Sequence, residues 1–97
     1  MFKTGRTIDG EPLRTAVTDF SFANILEVEA GCSYTEGGGN HGGRGYIRLT
    51  DLGSTQWEIN KLDGGVEIRF TGSSECMAMI GALKFILREL EAGKNEP

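Results

Sequence analysis

Two tyrosines, one arginine and the single histidine lie close together in this sequence. Tyr34, His41, Arg44 and Tyr46 fall within thirteen residues. Aromatic rings stack on nucleotide bases, and the planar guanidinium of arginine donates paired hydrogen bonds to phosphate. Together these side chains predict a site for a small nucleotide or nucleotide-derived ligand. Taken singly, each has a structural interpretation as well: Tyr46 can cover a sheet face, Arg44 can pair with Glu36, and His41 can be solvated.

The segment that holds these residues is rich in glycine, with six glycines from Gly37 to Gly45. Ordering glycine costs more conformational entropy than ordering any other residue, so the segment contributes little to folding. It is either a loose connection between two strands or a loop whose backbone amides approach an anion closely. We predict the second, with Arg48 reaching the same ligand. The predicted ligand-binding residues are Tyr34, Gly39, His41, Gly42, Gly43, Arg44, Tyr46 and Arg48.

Other site types find less support in the sequence. The glycine spacing satisfies G-x-G-x-x-G, but a strand follows it, whereas a dinucleotide-binding loop precedes a helix. The pair His41 and Cys32 offers a base and a thiol without a third residue to orient them. One histidine and two distant cysteines have no metal-ligand spacing. We therefore predict no catalytic residue, no metal and no cofactor, with nucleotide hydrolysis by His41 and Arg44 as the alternative.

Composition limits the class of protein. The chain has 97 residues and a formal net charge of −4, which disfavours nucleic acid as a partner. No apolar run is long enough to cross a bilayer, and the N-terminus lacks the pattern of a secretory signal, so we predict a cytoplasmic protein. Cys32 and Cys76 are predicted to be free thiols. Because a domain of this size buries a modest core, a homo-oligomer is expected.

Alternation of apolar and polar residues predicts antiparallel strands over 20–30, 45–52, 55–62 and 66–70, with a tight turn at Asp63–Gly65. The outward residues carry charge, and we expect them to form one solvated face from which Arg48 or Arg69 can reach a ligand. These residues are Glu27, Glu29, Arg48, Glu58, Glu67 and Arg69. The inward residues are Leu26, Val28, Ile47, Leu49, Trp57, Ile59, Val66, Ile68 and Phe70.

The period changes near residue 73, where an apolar stripe four and three residues apart predicts a helix over 73–92 that ends before Gly93. The stripe consists of Cys76, Ile80, Leu83, Leu87 and Leu90, widened by Met79 and Ile86. We expect this stripe to cover the inward sheet face. The predicted fold is α+β, a single domain over 1–97. Residues 1–19 form a hairpin or an arm for another subunit, 20–72 the sheet with its glycine-rich loop 36–45, and 93–97 a frayed tail.

The segments "GGGNHGGRGYIRLTDLGST" and "VEIRFTGSSECMAMIGALKFILREL" resemble a group of small bacteriophage and mobile-element proteins. Members share a GGxxHGGRxY segment followed by a strand, a turn and an apolar C-terminal helix. The resemblance covers 26–90, and 41–46 is its most specific part. It implies a viral or mobile-element origin and assigns no chemistry.

The glycine-rich loop and the viral origin that the resemblance implies together predict an accessory protein in the cytoplasm of an infected bacterium. We expect it to sequester a small anionic immune messenger without converting it chemically. A cyclic oligonucleotide or an ADP-ribose derivative fits this description. The alternative is a protein-binding inhibitor that occupies a host defence effector, such as a nuclease, through its acidic surface or an exposed strand edge.

Overall fold

Six strands and one helix make up the fold of the computed structural model, which describes residues 1–21, 25–33, 43–52 and 57–95. Four of the predicted ligand-binding residues, Tyr34, Gly39, His41 and Gly42, lie outside the described residues. The strands are β1 (Phe2–Ile8), β2 (Glu11–Ser21), β3 (Ile25–Ser33), β4 (Arg44–Asp51), β5 (Trp57–Leu62) and β6 (Gly65–Phe70), and the helix is α1 (Ser73–Asn95).

The first four strands form one antiparallel sheet in the order β1-β2-β3-β4, so that each strand pairs with the next along the chain. The hairpin of β1 and β2 turns at Asp9 and Gly10, which both have positive φ angles (53° and 82°). Asp and Gly are the residues that a two-residue turn of this hand accommodates. The N-terminal residues thus belong to the sheet, where β1 is an edge strand.

The single strand predicted over 20–30 is wrong. Two strands share that segment, since β2 ends at Ser21, β3 begins at Ile25, and these two residues are paired in an antiparallel register. The even-numbered apolar residues Phe20, Leu26 and Val28 do lie on one sheet face. Phe20 and Leu26 are cross-strand partners, so they share that face through the pairing and not through a continuous alternation.

The helix packs on the sheet, mainly against β3 and also against β2. This confirms the predicted α+β class with a C-terminal helix on one sheet face. Leu26 and Val28 are fully buried between the layers, and the small residues Ala16 and Ala30 let the helix approach closely. The described core also contains Trp57, Ala78, Met79, Ala82, Phe85 and Ile86.

The helix buries only part of the stripe that the sequence predicts. Ile80, Leu83 and Leu87 are all more than half exposed, and Cys76 is exposed as well. The side of the helix that is buried against the sheet carries the small residues Ala78 and Ala82. They alternate with the larger residues Met79, Phe85 and Ile86. Of the predicted stripe, Met79 and Ile86 are buried and Leu90 packs against the core, whereas the other four residues lie on the open side of the helix.

The helix also continues beyond its predicted end, through Gly93 to Asn95. At Gly93 a Cβ atom would collide with the backbone oxygen of Cys32, so this glycine permits close packing of the helix on β3. Its role is therefore in packing, and the helix does not stop there. Its first turn carries Glu75, whose carboxylate lies over Gly72.

Strands β5 and β6 form a separate two-stranded sheet and do not extend the main one. Their turn at Asp63 and Gly64 has a positive φ at Gly64 (77°), as the sequence pattern indicates. Trp57 anchors this hairpin in the core, 5.5 Å from Phe70 between ring centroids, while Val66 remains exposed. Within the described part of the chain, the helix is too polar to span a membrane.

Candidate functional site

Arg44, Tyr46 and Arg48 project from the same face of β4, because alternate residues of a strand point the same way. Their partners on β3 are Ser33, Gly31 and Glu29. This is the face of the sheet that points away from the helix, which we call the outer face. At about 3.3 Å per residue, the three β4 side chains leave the strand roughly 7 Å apart.

Arg6, an N-terminal residue that the sequence did not single out, belongs to the same face. Its guanidinium lies 4.6 Å from the centroid of the Tyr46 ring, a cation–π contact. Its Nε and Nη2 each donate a 2.6 Å hydrogen bond to Glu29. The hydroxyl of Thr15 donates a third hydrogen bond, of 2.7 Å, to the same carboxylate.

This network shifts the pKa of both charged partners. The hydrogen bonds from Arg6 hold the pKa of Glu29 below its ordinary value, and the hydroxyl of Thr15 and the nearby charge of Arg48 act in the same direction. Burial opposes the shift, because it favours the neutral acid. In turn, Glu29 raises the pKa of Arg6. Both groups are therefore charged at neutral pH.

The outer face is only in part the solvated charged surface that the sequence predicts, since Arg48 is exposed but Glu29 is buried. Glu29 is only 5 % exposed and Thr15 only 2 %. Leu13, which lies on this face too, is also buried. The other charged residues predicted for this face lie on two different sheets. Glu27 and Arg48 are on the outer face of the main sheet. Glu58, Glu67 and Arg69 lie on the β5–β6 hairpin, where Arg69 pairs with Glu58 at 3.1 Å.

Arg44 is held near the end of the sheet by several weak contacts. Its backbone N–H faces the hydroxyl of Ser33 at 3.4 Å, and its Nη1 donates to the carbonyl of Gly43 at 3.1 Å. Its Nε lies 3.6 Å from a carboxylate oxygen of Asp9, too far for a hydrogen bond. Although this Nε is buried, it has no hydrogen-bond acceptor among the described residues.

Arg48 lies opposite Glu29 and makes no hydrogen bond or ion pair within the described ranges. Glu29 is already engaged by two hydrogen bonds from Arg6, so one carboxylate faces two guanidinium groups. Asp9, whose carboxylate lies 3.6 Å from Arg44, is largely exposed. Around Tyr46, the described residues thus place the guanidinium groups of Arg6, Arg44 and Arg48 against the carboxylates of Glu29 and Asp9, while Glu27 lies further along the outer face.

These groups can bind an anion. Arg44 and Arg48 offer guanidinium donors on either side of Tyr46, whose ring presents one face to Arg6. Cys32 points to the helix side of the sheet, as its contact with Gly93 shows, so it lies on the opposite face. In the described ranges, no three histidine, cysteine or acidic side chains gather to hold a metal ion.

The structure thus brings together Arg44, Tyr46 and Arg48 of the predicted site, and Gly43 directly precedes them. Arg6 and Thr15 are the residues that the sequence analysis missed. A signal was present in the N-terminal segment, where the Asp9–Gly10 turn pairs β1 with β2 and so places Arg6 in the sheet. The strand predicted over 20–30 runs across the reversal between β2 and β3, so the predicted pairing does not bring Arg6 beside Tyr46.

No protein-family model, no curated protein and no solved structure matches this chain.

Proposed function

We propose that this protein is a non-catalytic binding protein that sequesters a small nucleotide-derived anion on its outer face. The observation that carries the proposal is the buried Nε of Arg44, which lacks a hydrogen-bond acceptor among the described residues. A buried donor without a partner costs free energy that a bound acceptor recovers. A phosphate oxygen suits this donor because arginine binds phosphate through two parallel hydrogen bonds.

The surroundings of Arg44 favour a ligand with a ring and more than one charge. Tyr46 lies roughly 7 Å along the strand and Arg48 roughly 13 Å, which matches an extended ligand with a planar base between two anionic groups. Arg6 takes one face of the Tyr46 ring, so a base stacks on the other face. Cyclic oligonucleotides and ADP-ribose derivatives have this combination of groups. Resemblance to phage-encoded proteins supports a role against host antiviral defence.

Thermal-shift screening followed by calorimetry tests the proposal, with cyclic dinucleotides and ADP-ribose derivatives as probes. We expect one of them to raise the melting temperature and Arg44→Ala to weaken its binding by about tenfold to a hundredfold, as for a lost charged hydrogen bond. Arg44→Lys, which keeps the charge but lacks the planar fork, should restore little of that affinity.

Arg69→Ala is the matched control, since Arg69 lies on the other sheet and pairs with Glu58. It should leave affinity unchanged. Recovery of intact ligand from the denatured complex would distinguish binding from hydrolysis. The proposal fails if no probe stabilises the protein, or if Arg44→Ala and Arg69→Ala have equal effects.

A protein-binding inhibitor is the second candidate. Among the described strands of the main sheet, β1 and β4 are the edge strands, and each has a neighbour on one side only. An edge strand offers backbone hydrogen bonds to an added strand from another protein. Capture of a host effector by the wild-type protein, lost when Ile47 on β4 is replaced by Pro, would favour this candidate over ligand sequestration.

A further inference from the structure

A cavity of about 430 Å³ lies between the sheet and the C-terminal end of the helix. The helix packs mainly against β3, so it leaves much of β1 uncovered on the side of the sheet that faces the helix, which we call the inner face. The cavity occupies this uncovered corner. Its volume is within the range of small-molecule sites, roughly 300–1,000 Å³.

Charged side chains of both signs line the cavity. Lys3 is the cross-strand partner of Ala16, which is buried beneath the helix, and Arg14 lies two residues from Ala16 on the same strand. Both side chains therefore project from the inner face. Glu89 reaches the cavity from the helix. The cavity thus offers a guanidinium, an ammonium and a carboxylate, all on the side of the sheet opposite to Arg44 and its neighbours.

Glu89 is a largely buried carboxylate with a weak ion pair. Its side chain is 11 % exposed, and Nζ of Lys3 lies 3.5 Å from its Oε1, too far for a good hydrogen bond. Because the side chain of Lys3 is 71 % exposed, solvent screens this pair and it contributes little to stability. A second ammonium group can therefore replace Lys3 beside Glu89 at small cost.

The end of the helix adds to the negative side of the cavity. Ala92 and Gly93 line it and belong to the last turn of the helix, which ends at Asn95. The carbonyl groups of a last turn lack partners within the helix and carry partial negative charge. Together with Glu89, they favour a cationic group in this part of the cavity.

Arg14 supplies the opposite charge. Its guanidinium makes no hydrogen bond or ion pair with the residues that the structure describes, so it can donate two parallel hydrogen bonds to a carboxylate. Since Gly5 is the cross-strand partner of Arg14, Lys3 is its diagonal neighbour, roughly 7–8 Å away. Lys3 in turn pairs with Glu89, so one small molecule can reach both Arg14 and Glu89.

We propose that this cavity binds a small zwitterion with a free amino group and a free carboxylate, as in an amino acid or a dipeptide. The carboxylate of the ligand binds Arg14. Its ammonium group replaces Lys3 beside Glu89 and faces the last turn of the helix. This site does not depend on the proposed nucleotide ligand, because its charged side chains lie on the inner face and those of the nucleotide site lie on the outer face.

Cys32 lies in the wall of the cavity, so its thiol can report whether the cavity is occupied. Cys76→Ser removes the other thiol of the chain, and iodoacetamide labelling of this variant is then followed by mass spectrometry. The probes are the standard amino acids and the corresponding glycyl dipeptides, with calorimetry as a direct measure of affinity. We expect at least one zwitterion to bind and to slow the labelling, and its length shows which of the two ligand types fits.

Derivatives of that zwitterion test its two charges. The N-acetyl derivative lacks the ammonium group and the amide lacks the carboxylate, so each should bind about tenfold to a hundredfold more weakly, as for a lost charged hydrogen bond. Arg14→Gln and Glu89→Gln should weaken the parent zwitterion by similar factors. Circular dichroism checks that both variants keep the wild-type fold.

Lys3→Gln is the matched control, because it removes a charge from the same cavity. It should leave affinity unchanged or raise it, since it frees Glu89 for the ligand. Arg44→Ala on the outer face should have no effect, which separates this site from the nucleotide site. The proposal is overturned if no probe binds, if the N-acetyl derivative and the amide bind as well as their parent, or if Lys3→Gln weakens binding as much as Arg14→Gln.

Discussion

Arg6 and Glu29 form a bidentate pair that joins β1 to β3, two strands that are not neighbours in the sheet. Each carboxylate oxygen accepts one hydrogen bond of 2.6 Å from the guanidinium. Because β2 runs between them, the pair crosses above that strand, where the hydroxyl of Thr15 is buried and bonds to the same carboxylate. The contact thus ties three strands together and fixes the guanidinium beside Tyr46.

The Arg6–Glu29 pair predicts a dependence of stability on acid. The pKa of Glu29 in the folded protein lies below its ordinary value of 4.5. A lowered folded-state pKa contributes stability that is present above the ordinary value and is lost as the pH falls through the folded-state value. The free energy of unfolding of the wild type, measured by urea titration, should therefore fall as the pH is lowered below 4.5. Glu29→Gln should be less stable at neutral pH and show a shallower acid dependence.

Two glycines on the paired strands β3 and β4 should respond differently to alanine. At Gly31 a Cβ atom would collide with the backbone oxygen of Arg14, and it would lie 2.8 Å from the methyl of Thr15. At Gly45 it would meet nothing within 4 Å. We expect Gly31→Ala to lower the free energy of unfolding by about 1–3 kcal/mol, as overpacking does. Gly45→Ala should be neutral or slightly stabilising in the same urea titration. Equal effects would contradict the close packing at Gly31.

Tyr46 should act through its ring and not through its hydroxyl. Tyr46→Phe keeps the surface that Arg6 contacts and on which a base can stack, so it should bind the nucleotide ligand like the wild type. Tyr46→Leu removes that surface and should weaken binding roughly tenfold to a hundredfold, the range for loss of one base-stacking contact. Calorimetry compares the two variants. A loss of affinity in Tyr46→Phe would assign the binding to the hydroxyl instead.

Trp57 should hold the β5–β6 hairpin to the rest of the domain. It is 5 % exposed, and its indole N–H has no hydrogen-bond partner among the described residues. Trp57→Ala should cost about 3–5 kcal/mol of unfolding free energy because it leaves a large cavity. Trp57→Phe keeps a six-membered aromatic ring and removes the unpaired donor, so it leaves a smaller cavity and should cost less than Trp57→Ala. Chemical denaturation followed by circular dichroism measures both.

Local patterns in the sequence were sufficient for the α+β class, the turn at Asp63–Gly64 and the start of the helix at Ser73. Each depends on residues close in the chain: a two-residue turn, an alternation or a first helical turn. The side of the helix that packs was not predictable in this way. Both sides carry apolar residues, and the choice depends on Ala78 and Ala82 fitting against the small residues of β2 and β3.

The candidate site was predictable in part. Arg44, Tyr46 and Arg48 share a face because a strand alternates, which the sequence shows directly. Arg6 could not be placed with them, since its position depends on the register of three strand pairs across the sheet. Register is a property of the whole sheet. The chain reverses direction between Ser21 and Ile25, which the local sequence pattern does not indicate, and this reversal decides which residues are neighbours.

The sequential order of β1 to β4 also has a consequence for how the chain is made. Each strand can pair with its predecessor as soon as it leaves the ribosome, so the sheet needs no long-range loop closure. The helix follows all six strands in the chain, and until it emerges Leu26 and Val28 have no cover. A nascent chain stalled before Ser73 should therefore recruit chaperones, and completion of the helix should release them.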